Sequence, residues 1–331
     1  MPADSPRGGY AAVGRIADLD TGRRLIVHAA ESWHDAVQSG RFDFFVKLAA
    51  KARVEAVQPL LVRAERPASQ RLLGQRGLHL MLGPRHPVAS NVLHVHPGYL
   101  WGFWYLDPEG VNYRSSIGQR TFDPAGIDAD AAADFVRGLR DRLVAANVSK
   151  FPQAARAPLP PPFAAIFVQE IERYGTPVHH LDSETMLRVT AAAAGGAPVL
   201  VKLHPAQSAE TAARLTTLAA SLPGVTITTA SLHDIAAAAR VIVTQNSAAG
   251  FEALLQHRPV ITCAISDYHA ATQVARTPAE LTEALRNAPA RLAAFPYDAY
   301  LAWFLRQHQF EPTAPDFTTR VWAACLATGA L

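Results

Sequence analysis

Residues 241–259 read VIVTQNSAAGFEALLQHRP, in which a short apolar strand passes through small polar residues into a helix. A strand that turns into a helix in this way points free backbone N–H groups, and the positive end of the helix dipole, at whatever lies above the turn. The stretch therefore predicts an α/β sheet with a turn that favours an anion, most often a phosphate. An ordinary strand–helix turn capped by Ser247 accounts for the same residues.

Four side chains around this turn add to the predicted site. Asn246 and Ser247 carry groups that donate hydrogen bonds, and Gly250 lets a ligand approach the backbone closely. Glu252 falls in the first helical turn, where its carboxylate can accept hydrogen bonds from ribose hydroxyls. All four are therefore predicted to contact a bound nucleotide.

A second stretch, residues 198–207, reads PVLVKLHPAQ. An apolar strand leads into Lys202 and then into the pair His204 and Pro205. Ligands of open α/β sheets bind beyond the carboxyl ends of the strands, so Lys202 and His204 are predicted to face a phosphate there. Gln169, which follows another predicted strand at 164–168, is assigned to the same site, as is Pro205.

A third stretch, residues 98–115, reads GYLWGFWYLDPEGVNYRS. Together with K-x-H-P at 202–205 and S-x-x-G-F-E-A-L-L at 247–255, it resembles the capsule polysaccharide biosynthesis family of bacterial glycosyltransferases. These proteins are related to the capsular β-Kdo transferases, Kdo being an eight-carbon acidic sugar. The short His-Pro and Ser motifs are also similar to those of bacterial sialyltransferases, which likewise use CMP-activated sugars.

The resemblance implies the GT-B architecture, in which two Rossmann-like, doubly wound domains face each other across a cleft. The length of 331 residues suits two domains. Four prolines within 158–162 forbid helix, and residues 151–162 are interpreted as an extended connector. The predicted boundaries are an acceptor-side domain at 1–155, a nucleotide-sugar domain at 156–295, and C-terminal helices at 296–331 that pack back on the first domain.

Strands and helices alternate in both halves, as a doubly wound sheet requires. Phe45, Leu48, Ala49 and Ala52 recur at helical spacing and predict a helix over 42–57. In the second half, Asp182 or Ser183 is predicted to cap a helix that Gly195 ends. Further strands are predicted at 25–27, 60–62, 78–82, 92–95, 225–228 and 259–262.

The resemblance places its motif acid at Asp107, which we predict to be the catalytic carboxylate, with Glu109 as a second candidate. Glycosyl transfer through an oxocarbenium-like transition state needs a carboxylate that deprotonates the acceptor. The family usually has Glu at this position, and Trp101-Gly102 stands where an Arg-Pro pair commonly follows G-Y-L. A solvated turn residue is the alternative interpretation of Glu109.

Three residues of the same region are predicted to contact the acceptor or the sugar, namely His96, Tyr99 and Asn112. Asn112 also fits a purely structural role, since asparagine tolerates left-handed backbone geometry. His94 and His96 alternate on an extended chain, but no third ligand is evident in the sequence. We therefore predict no metal and no cofactor.

The predicted function is the transfer of Kdo, or a similar acidic sugar, from a CMP-sugar donor to a capsular glycan or a glycolipid. In this hypothesis the departing CMP phosphate is stabilised by Lys202, His204 and the helix start after Ser247. Two alternatives stay open. One is a UDP-sugar transferase or a glycerophosphotransferase on the same fold, and the other is a non-catalytic binding protein of capsule assembly.

The composition of the chain indicates which partners and which cellular location to expect. The net charge of +3 suits a phosphorylated donor or an anionic membrane surface and is too small to indicate nucleic-acid binding. The two cysteines form no disulfide or zinc pattern, which is typical of a reducing cytoplasm. No apolar run approaches the ~18 residues of a membrane helix. We predict a cytoplasmic protein, with peripheral contacts to the inner membrane and the capsule assembly machinery as further possibilities.

Overall fold

The computed structural model describes residues 8–12, 22–83, 87–173 and 178–331. The chain forms two compact units. The first unit comprises residues 1–98, 102–116 and 308–331, and the second comprises residues 99–101 and 117–307. Each unit is built on its own six-stranded sheet.

The sheet of the first unit has the order β1-β3-β2-β4-β5-β6, and only the β5–β6 pairing is antiparallel. Its strands are β1 (Ala11–Ala12), β2 (Arg24–Ala29), β3 (Gln58–Arg63), β4 (Leu78–Leu82), β5 (Val92–Pro97) and β6 (Trp104–Asp107). The central strand β2 is buried along its whole length, as expected for a strand covered on both faces. The helices that follow these strands are α1 (Glu31–Gln38), α2 (Asp43–Val54) and α3 (Pro67–Leu73).

The predicted helix over 42–57 is α2, and its buried residues include all four that set the helical spacing. They pack into the core of the first unit with Val27, Leu80 and Trp104. Burial of this apolar stripe stabilises the helix more than its intrinsic propensity does.

The sheet of the second unit has the order β12-β11-β10-β7-β8-β9, and all its pairings are parallel. Its strands are β7 (Ala164–Phe167), β8 (Val199–Lys202), β9 (Val225–Ile227), β10 (Ile242–Thr244), β11 (Val260–Thr262) and β12 (Gln273–Val274). The chain runs outward from β7 to β9, then returns to the other side of β7 with β10. The switch point of this doubly wound sheet therefore lies between β7 and β10, which is where such sheets bind ligands.

The helices of the second unit are α4 (Ala129–Leu139), α5 (Ser183–Ala194), α6 (Ala209–Ser221), α7 (Leu232–Ala238), α8 (Ala248–Leu254), α9 (Pro278–Arg291) and α10 (Tyr297–Ala302). Two π-helical segments extend α4 and α10, at Arg140–Ala145 and Trp303–Gln307. Short 3₁₀ turns lie at Asn112–Arg114, Ser116–Gln119, Pro124–Gly126, Ile171–Arg173 and His269–Ala271.

The caps of α5 agree with the sequence prediction. The carboxylate of Asp182 accepts a hydrogen bond from the backbone N–H of Thr185 at 2.7 Å, which identifies Asp182, not Ser183, as the cap. Gly195 follows the last turn with φ of 58°, a left-handed conformation that favours glycine.

The division of the chain differs from the predicted boundary at residue 155, because residues 117–155 lie in the second unit. The side chain of Arg140, at the end of α4, donates hydrogen bonds to the carbonyl of Leu255 and, at 3.2 Å, to the carboxylate of Asp298. These bonds attach α4 and its extension to the second sheet's own helices.

The proline-rich segment 151–162 is also part of the second unit and does not connect the two units. It is free of helix, as predicted. The side chain of Gln153 accepts a hydrogen bond from the N–H of Leu232 at 3.0 Å, and the N–H of Ala157 donates to Asp234 at 2.8 Å. Proline content predicted the absence of helix correctly, but it does not report whether an extended segment packs.

The last residues of the chain return to the first unit, as the GT-B resemblance implies. Trp104 and Phe310 exchange two backbone hydrogen bonds of 2.9 Å each, and the final helix α11 (Phe317–Leu326) packs on α2. The predicted segment 296–331 is divided, however, since residues through 307 stay in the second unit. In the part of the chain that is described, no helix is both long and apolar enough to cross a membrane.

Candidate nucleotide-binding site

The carboxyl ends of β7 and β10 meet at the switch point of the second sheet. Gln169 follows β7, and its side-chain carbonyl accepts the N–H of Asn246 at 3.0 Å. The side-chain amide of Asn246 in turn donates to the carbonyl of Ile265 at 2.8 Å. Both residues lie where the sequence places them, and these hydrogen bonds hold together the loops that follow three neighbouring strands.

Ser247 is the N-cap of α8. Its hydroxyl accepts a hydrogen bond from the N–H of Ala249 at 3.2 Å, and its carbonyl accepts one from the hydroxyl of Tyr268 at 2.9 Å. The capping role named as the simpler interpretation is therefore present. The hydroxyl proton of Ser247 is not used by the capping bond, so the residue keeps a donor for a ligand.

Glycine is required at position 250 because neighbouring side chains pack closely against it. A Cβ atom on this residue would lie 2.7 Å from the side-chain methyl of Thr244 and 3.0 Å from the hydroxyl of Tyr268. Helix α8 can thus approach β10 closely only with glycine here. The sequence predicted that a ligand approaches Gly250 closely. At the position of the missing Cβ atom, the groups that approach it are side chains of the protein.

Lys202 ends β8, and its ammonium donates to the carbonyls of Ala230 at 2.7 Å and Thr229 at 3.3 Å. Burial lowers the pKa of Lys202. An ammonium group has three donors, so one remains for a ligand after these two bonds.

The ring of His204 is held in one protonation state by its own turn. Its Nδ1 accepts the N–H of Ala206 at 3.1 Å, which assigns the proton of the neutral ring to Nε2. Burial lowers the pKa of His204, which favours this neutral form, although the carboxylate of Glu170 acts in the opposite direction. The ring meets Phe151 edge-on, with centroids 5.3 Å apart. His204 is therefore prepared to donate from Nε2.

Glu170 positions the turn that carries His204. Its carboxylate accepts hydrogen bonds from the hydroxyl and N–H of Ser208, the cap of α6, and from the hydroxyl of Thr211 at 2.7 Å. These bonds lower the pKa of Glu170 to about 2. The start of α6 and the His204 turn are thereby attached to the end of β7, an arrangement that sequence reasoning did not foresee.

A single pocket of about 70 Å³ joins several of these groups. Among its lining residues are five that the sequence predicts for the nucleotide site: Lys202, His204, Pro205, Ser247 and Glu252. Its volume is on the order of two water molecules, so a small group such as a phosphate is comparable to it and a whole nucleotide would extend beyond it. The two motifs that the sequence paired therefore do come together in space.

Glu252 is buried at this pocket, and burial raises its pKa to about 8, although the hydrogen bond from Ser149 and the charge of Lys150 act in the opposite direction. One carboxylate oxygen accepts the hydroxyl of Ser149 at 2.8 Å, and the other lies 3.9 Å from Nε2 of His233. The nitrogen of His233 donates instead to the carbonyl of Val148 at 3.0 Å, and burial lowers the pKa of this histidine. A carboxyl group held in this way can present an oxygen to a hydroxyl.

Sequence reasoning missed the segment 149–153, which forms one side of the pocket. Lys150 lines it, and burial lowers the pKa of Lys150 to about 8 although Glu252 acts in the opposite direction. The sequence feature that could have indicated this segment is a serine and a lysine directly before the proline-rich stretch. It was overlooked because that stretch was interpreted as a connector.

Asp107 lies in the first unit at the end of β6, where its carboxylate organises the following loop. It is buried and accepts hydrogen bonds from four donors: the N–H groups of Glu109, Gly110 and Ser116, and the hydroxyl of Ser116 at 2.7 Å. Both carboxylate oxygens are engaged. This geometry is that of a structural carboxylate, and the catalytic role of Asp107 stays a prediction.

The three residues predicted to contact acceptor or sugar have different surroundings. Asn112 adopts φ of 52°, the left-handed geometry anticipated for it, while the Nδ1 of His96 lies 2.9 Å from the carbonyl of Pro97. Tyr99 is buried in the second unit, stacked 5.1 Å from Phe251, and its hydroxyl donates to Asp267 at 2.7 Å. The surroundings of Tyr99 are those of a packing residue, and its contact with a sugar stays a prediction. Glu109, the second candidate for the catalytic carboxylate, is half-buried.

Metal ligands require at least three suitable side chains close together. Within the described ranges, no three residues of the types His, Cys, Asp and Glu are grouped in a way that could hold a metal ion.

A family model matches part of the chain. Residues 173–310 match the family described as capsule polysaccharide biosynthesis protein. The matched range contains Lys202, His204, Ser247 and Glu252. This match confirms, for that part of the chain, the resemblance predicted from the motifs. No curated protein matches the sequence.

Solved structures were compared over most of the chain, and one of them has a TM-score above 0.5. KpsC, the β-Kdo 2,7-transferase of Thermosulfurimonas dismutans, superposes with a TM-score of 0.55 at 14% identity, covering 92% of this chain and 98% of that one. The β-Kdo 2,4-transferase of the same KpsC gives 0.45 at 17% identity, over 79% and 89%. The UDP-GlcNAc 2-epimerase of Methanocaldococcus jannaschii gives 0.38 at 10%, over 92% and 99%. The first comparison shows a shared fold and confirms the predicted GT-B class.

Proposed function

We propose that this protein is a glycosyltransferase of capsular or surface polysaccharide biosynthesis that binds a nucleotide-sugar donor in its second unit. The observation that carries the proposal is the convergence of Lys202, His204, Ser247 and Glu252 on one pocket beside the switch point of the second sheet. All four lie within the region that matches the capsule polysaccharide family.

The donor in this proposal is a CMP-activated acidic sugar of the Kdo class. The arrangement supports it through the leaving group, which is a nucleotide phosphate. The Nε2–H of His204 and the ammonium of Lys202 supply fixed donors for the charge that develops on that phosphate as the sugar departs. Because these groups perform the stabilisation, the proposal includes no metal and no cofactor.

The acceptor is a glycan or a glycolipid, and its activation requires a base. Asp107 is the residue that the motif suggests, but its two oxygens already accept hydrogen bonds from four donors within its loop. A cytoplasmic location, with contacts to the inner membrane and to assembly machinery, remains part of the hypothesis.

The engagement of Asp107 favours one second candidate, a non-catalytic protein that binds a nucleotide or a glycan. This candidate predicts binding of CMP or its sugar without turnover. It also predicts that Asp107→Asn leaves nucleotide binding unchanged, since the site of binding lies in the second unit.

The test is calorimetric titration of CMP, UMP and UDP into the wild type, His204→Ala and a matched control, His180→Ala, which is outside the pocket. We expect micromolar CMP binding that His204→Ala weakens by about 1–3 kcal/mol, the value of a charge-assisted hydrogen bond. CMP-Kdo is then assayed for sugar transfer with release of CMP. Preferred UDP binding would favour a UDP-sugar transferase, and absence of any nucleotide binding would contradict the proposed site.

A further inference from the structure

Lys150 is a half-buried cation that lines the pocket with Lys202 and His204. Within the described residues its ammonium has no hydrogen-bond acceptor and no carboxylate within 4 Å, in contrast to Lys202, which donates to two carbonyls. Partial withdrawal of a cation from water costs free energy that no close partner offsets here. An anionic ligand that pairs with this ammonium would therefore gain more binding free energy than it would from a lysine at the open surface.

The segment that carries Lys150 is held at several points. The hydroxyl of Ser149 donates to Glu252 at 2.8 Å, and the ring of Phe151 packs against His204. Asn147 donates to the carbonyl of Ala154 at 2.8 Å and accepts the hydroxyl of Ser231 at 2.6 Å. Lys150 is thus presented by a stretch whose neighbouring residues touch both groups of the predicted site, the carboxylate and the histidine.

The charges around the pocket favour an anion. Lys150 and Lys202 are its two lysines, and Glu252 is the carboxyl group among its lining residues. A single carboxyl cannot neutralise both lysines, and burial raises the pKa of Glu252 to about 8, which favours its uncharged form. Desolvation also lowers the pKa of Lys150 to about 8, although the nearby carboxyl of Glu252 acts in the opposite direction.

We propose that Lys150 is a donor-binding residue whose ammonium binds the phosphate of the nucleotide, together with Lys202 and His204. This inference rests on the proposed function and deepens it, because it assigns part of the donor site to a segment outside the matched family region. The ligand chemistry it requires is a phosphate ester of a nucleoside. The competing view is that Lys150 only balances the charge of Glu252.

The first experiment compares CMP with cytidine, which lacks the phosphate, in calorimetric titrations of the wild type, Lys150→Met and Lys51→Met. Lys51 is the matched control, since it forms a surface ion pair with Glu55 in the first unit. We expect Lys150→Met to weaken CMP binding about tenfold to a hundredfold and to leave cytidine binding unchanged, as loss of one charge-assisted bond predicts. Lys150→Arg, which keeps the charge, is expected to recover most of the affinity.

A second measurement needs only the wild type, which covers the case in which Lys150→Met does not fold. CMP is titrated at pH 8 in buffers of different ionisation enthalpy. The other titratable groups that line the pocket are Glu252, Lys202 and His204, and His233 lies 3.9 Å from Glu252. A phosphate beside Lys150 and Glu252 favours their protonated forms, so we expect net uptake of protons on binding. No uptake at pH 8 would overturn the proposal.

The outcomes separate this inference from the proposed function. If the wild type binds no nucleotide, the proposed function fails and this inference fails with it. If CMP binds and His204→Ala weakens it, but Lys150→Met does not or weakens cytidine equally, only the role of Lys150 is overturned.

Discussion

One group of polar side chains in each unit shows a different degree of pairing. In the first, the carboxylate of Asp107 is surrounded by donors from its own loop, and buried His28 donates or accepts at both ring nitrogens, with Ser69 at 2.8 Å and His79 at 2.9 Å. In the second, buried Glu252 accepts one hydrogen bond, from Ser149 at 2.8 Å, and half-buried Lys150 has no hydrogen-bond partner among the described residues. Fully paired polar groups stabilise a fold, whereas polar groups with few partners can gain free energy by pairing with a ligand.

The largest expected effect concerns Asp107. Asp107→Ala leaves the N–H groups of Glu109, Gly110 and Ser116 without their acceptor, and we expect it to reduce the free energy of unfolding by about 3 kcal/mol. Urea unfolding measures this, with Asp134→Ala as a control because its pair with Arg137 is exposed. If Asp107→Asn abolished sugar transfer without changing stability or CMP binding, Asp107 would be catalytic. The description of Asp107 as a purely structural carboxylate would then be wrong.

The second prediction is a pH dependence of CMP affinity. Lys150 loses its proton, and Glu252 becomes charged, as the pH rises through about 8. Both changes disfavour a phosphate, so we expect affinity to be full near pH 7 and to fall about tenfold between pH 8 and pH 9. Titrations at three pH values measure it, and Lys150→Met should make the profile shallower, leaving the part that is due to Glu252. A profile that is flat in the wild type would argue against these groups as phosphate contacts.

A smaller effect is expected from the bond between Ser149 and Glu252. Ser149→Ala removes the donor that orients the carboxyl group, and we expect the preference for CMP over its 2′-deoxy analogue to fall about fivefold, as loss of roughly 1 kcal/mol predicts. Ser221→Ala, on the far end of α6, serves as the control. An unchanged preference would separate Glu252 from ribose recognition.

The smallest effect concerns the first unit. Burial lowers the pKa of His79 from its ordinary value of 6.5, so the unfolded chain takes up a proton more readily than the folded one. The stability that this histidine contributes is full above pH 6.5 and is lost as the pH falls toward the lowered folded value. Thermal unfolding at pH 8 and pH 5 should show a smaller acid-induced loss in His79→Gln than in the wild type. An equal loss of thermal stability in the wild type and in His79→Gln would show that His79 does not contribute to the destabilisation at low pH.

Local patterns predicted much of the second unit. The spacing of apolar residues and the small residues of the 241–259 turn placed β10, α8 and the N-cap Ser247 correctly. Lys202 and His204 were paired with that turn because parallel strands end at the same edge, and the pocket joins them. The packing role of Gly250 was not predicted, because the sequence does not show that Thr244 and Tyr268 occupy the space beside it, and its ligand contact stays a prediction.

The domain boundary was the least predictable feature. Proline content ruled out a helix over 151–162, but only long-range hydrogen bonds, such as that of Gln153 with Leu232, attach the segment to the second unit. The same bonds bring Ser149 and Lys150 to the pocket. Contacts between residues about 80 or 100 positions apart leave no local periodicity, so they could not be read from the chain.

By itself, then, the sequence determined the two-sheet α/β class, the family resemblance and the pairing of the Lys202–His204 and Ser247 motifs, because each depends on short-range spacing. The tertiary structure alone decided that Asp107 organises a loop, that Tyr99 packs against Phe251, and that Lys150 stands in the pocket. Whether a polar side chain is paired or unpaired depends on which distant groups surround it, and folding brings those groups together.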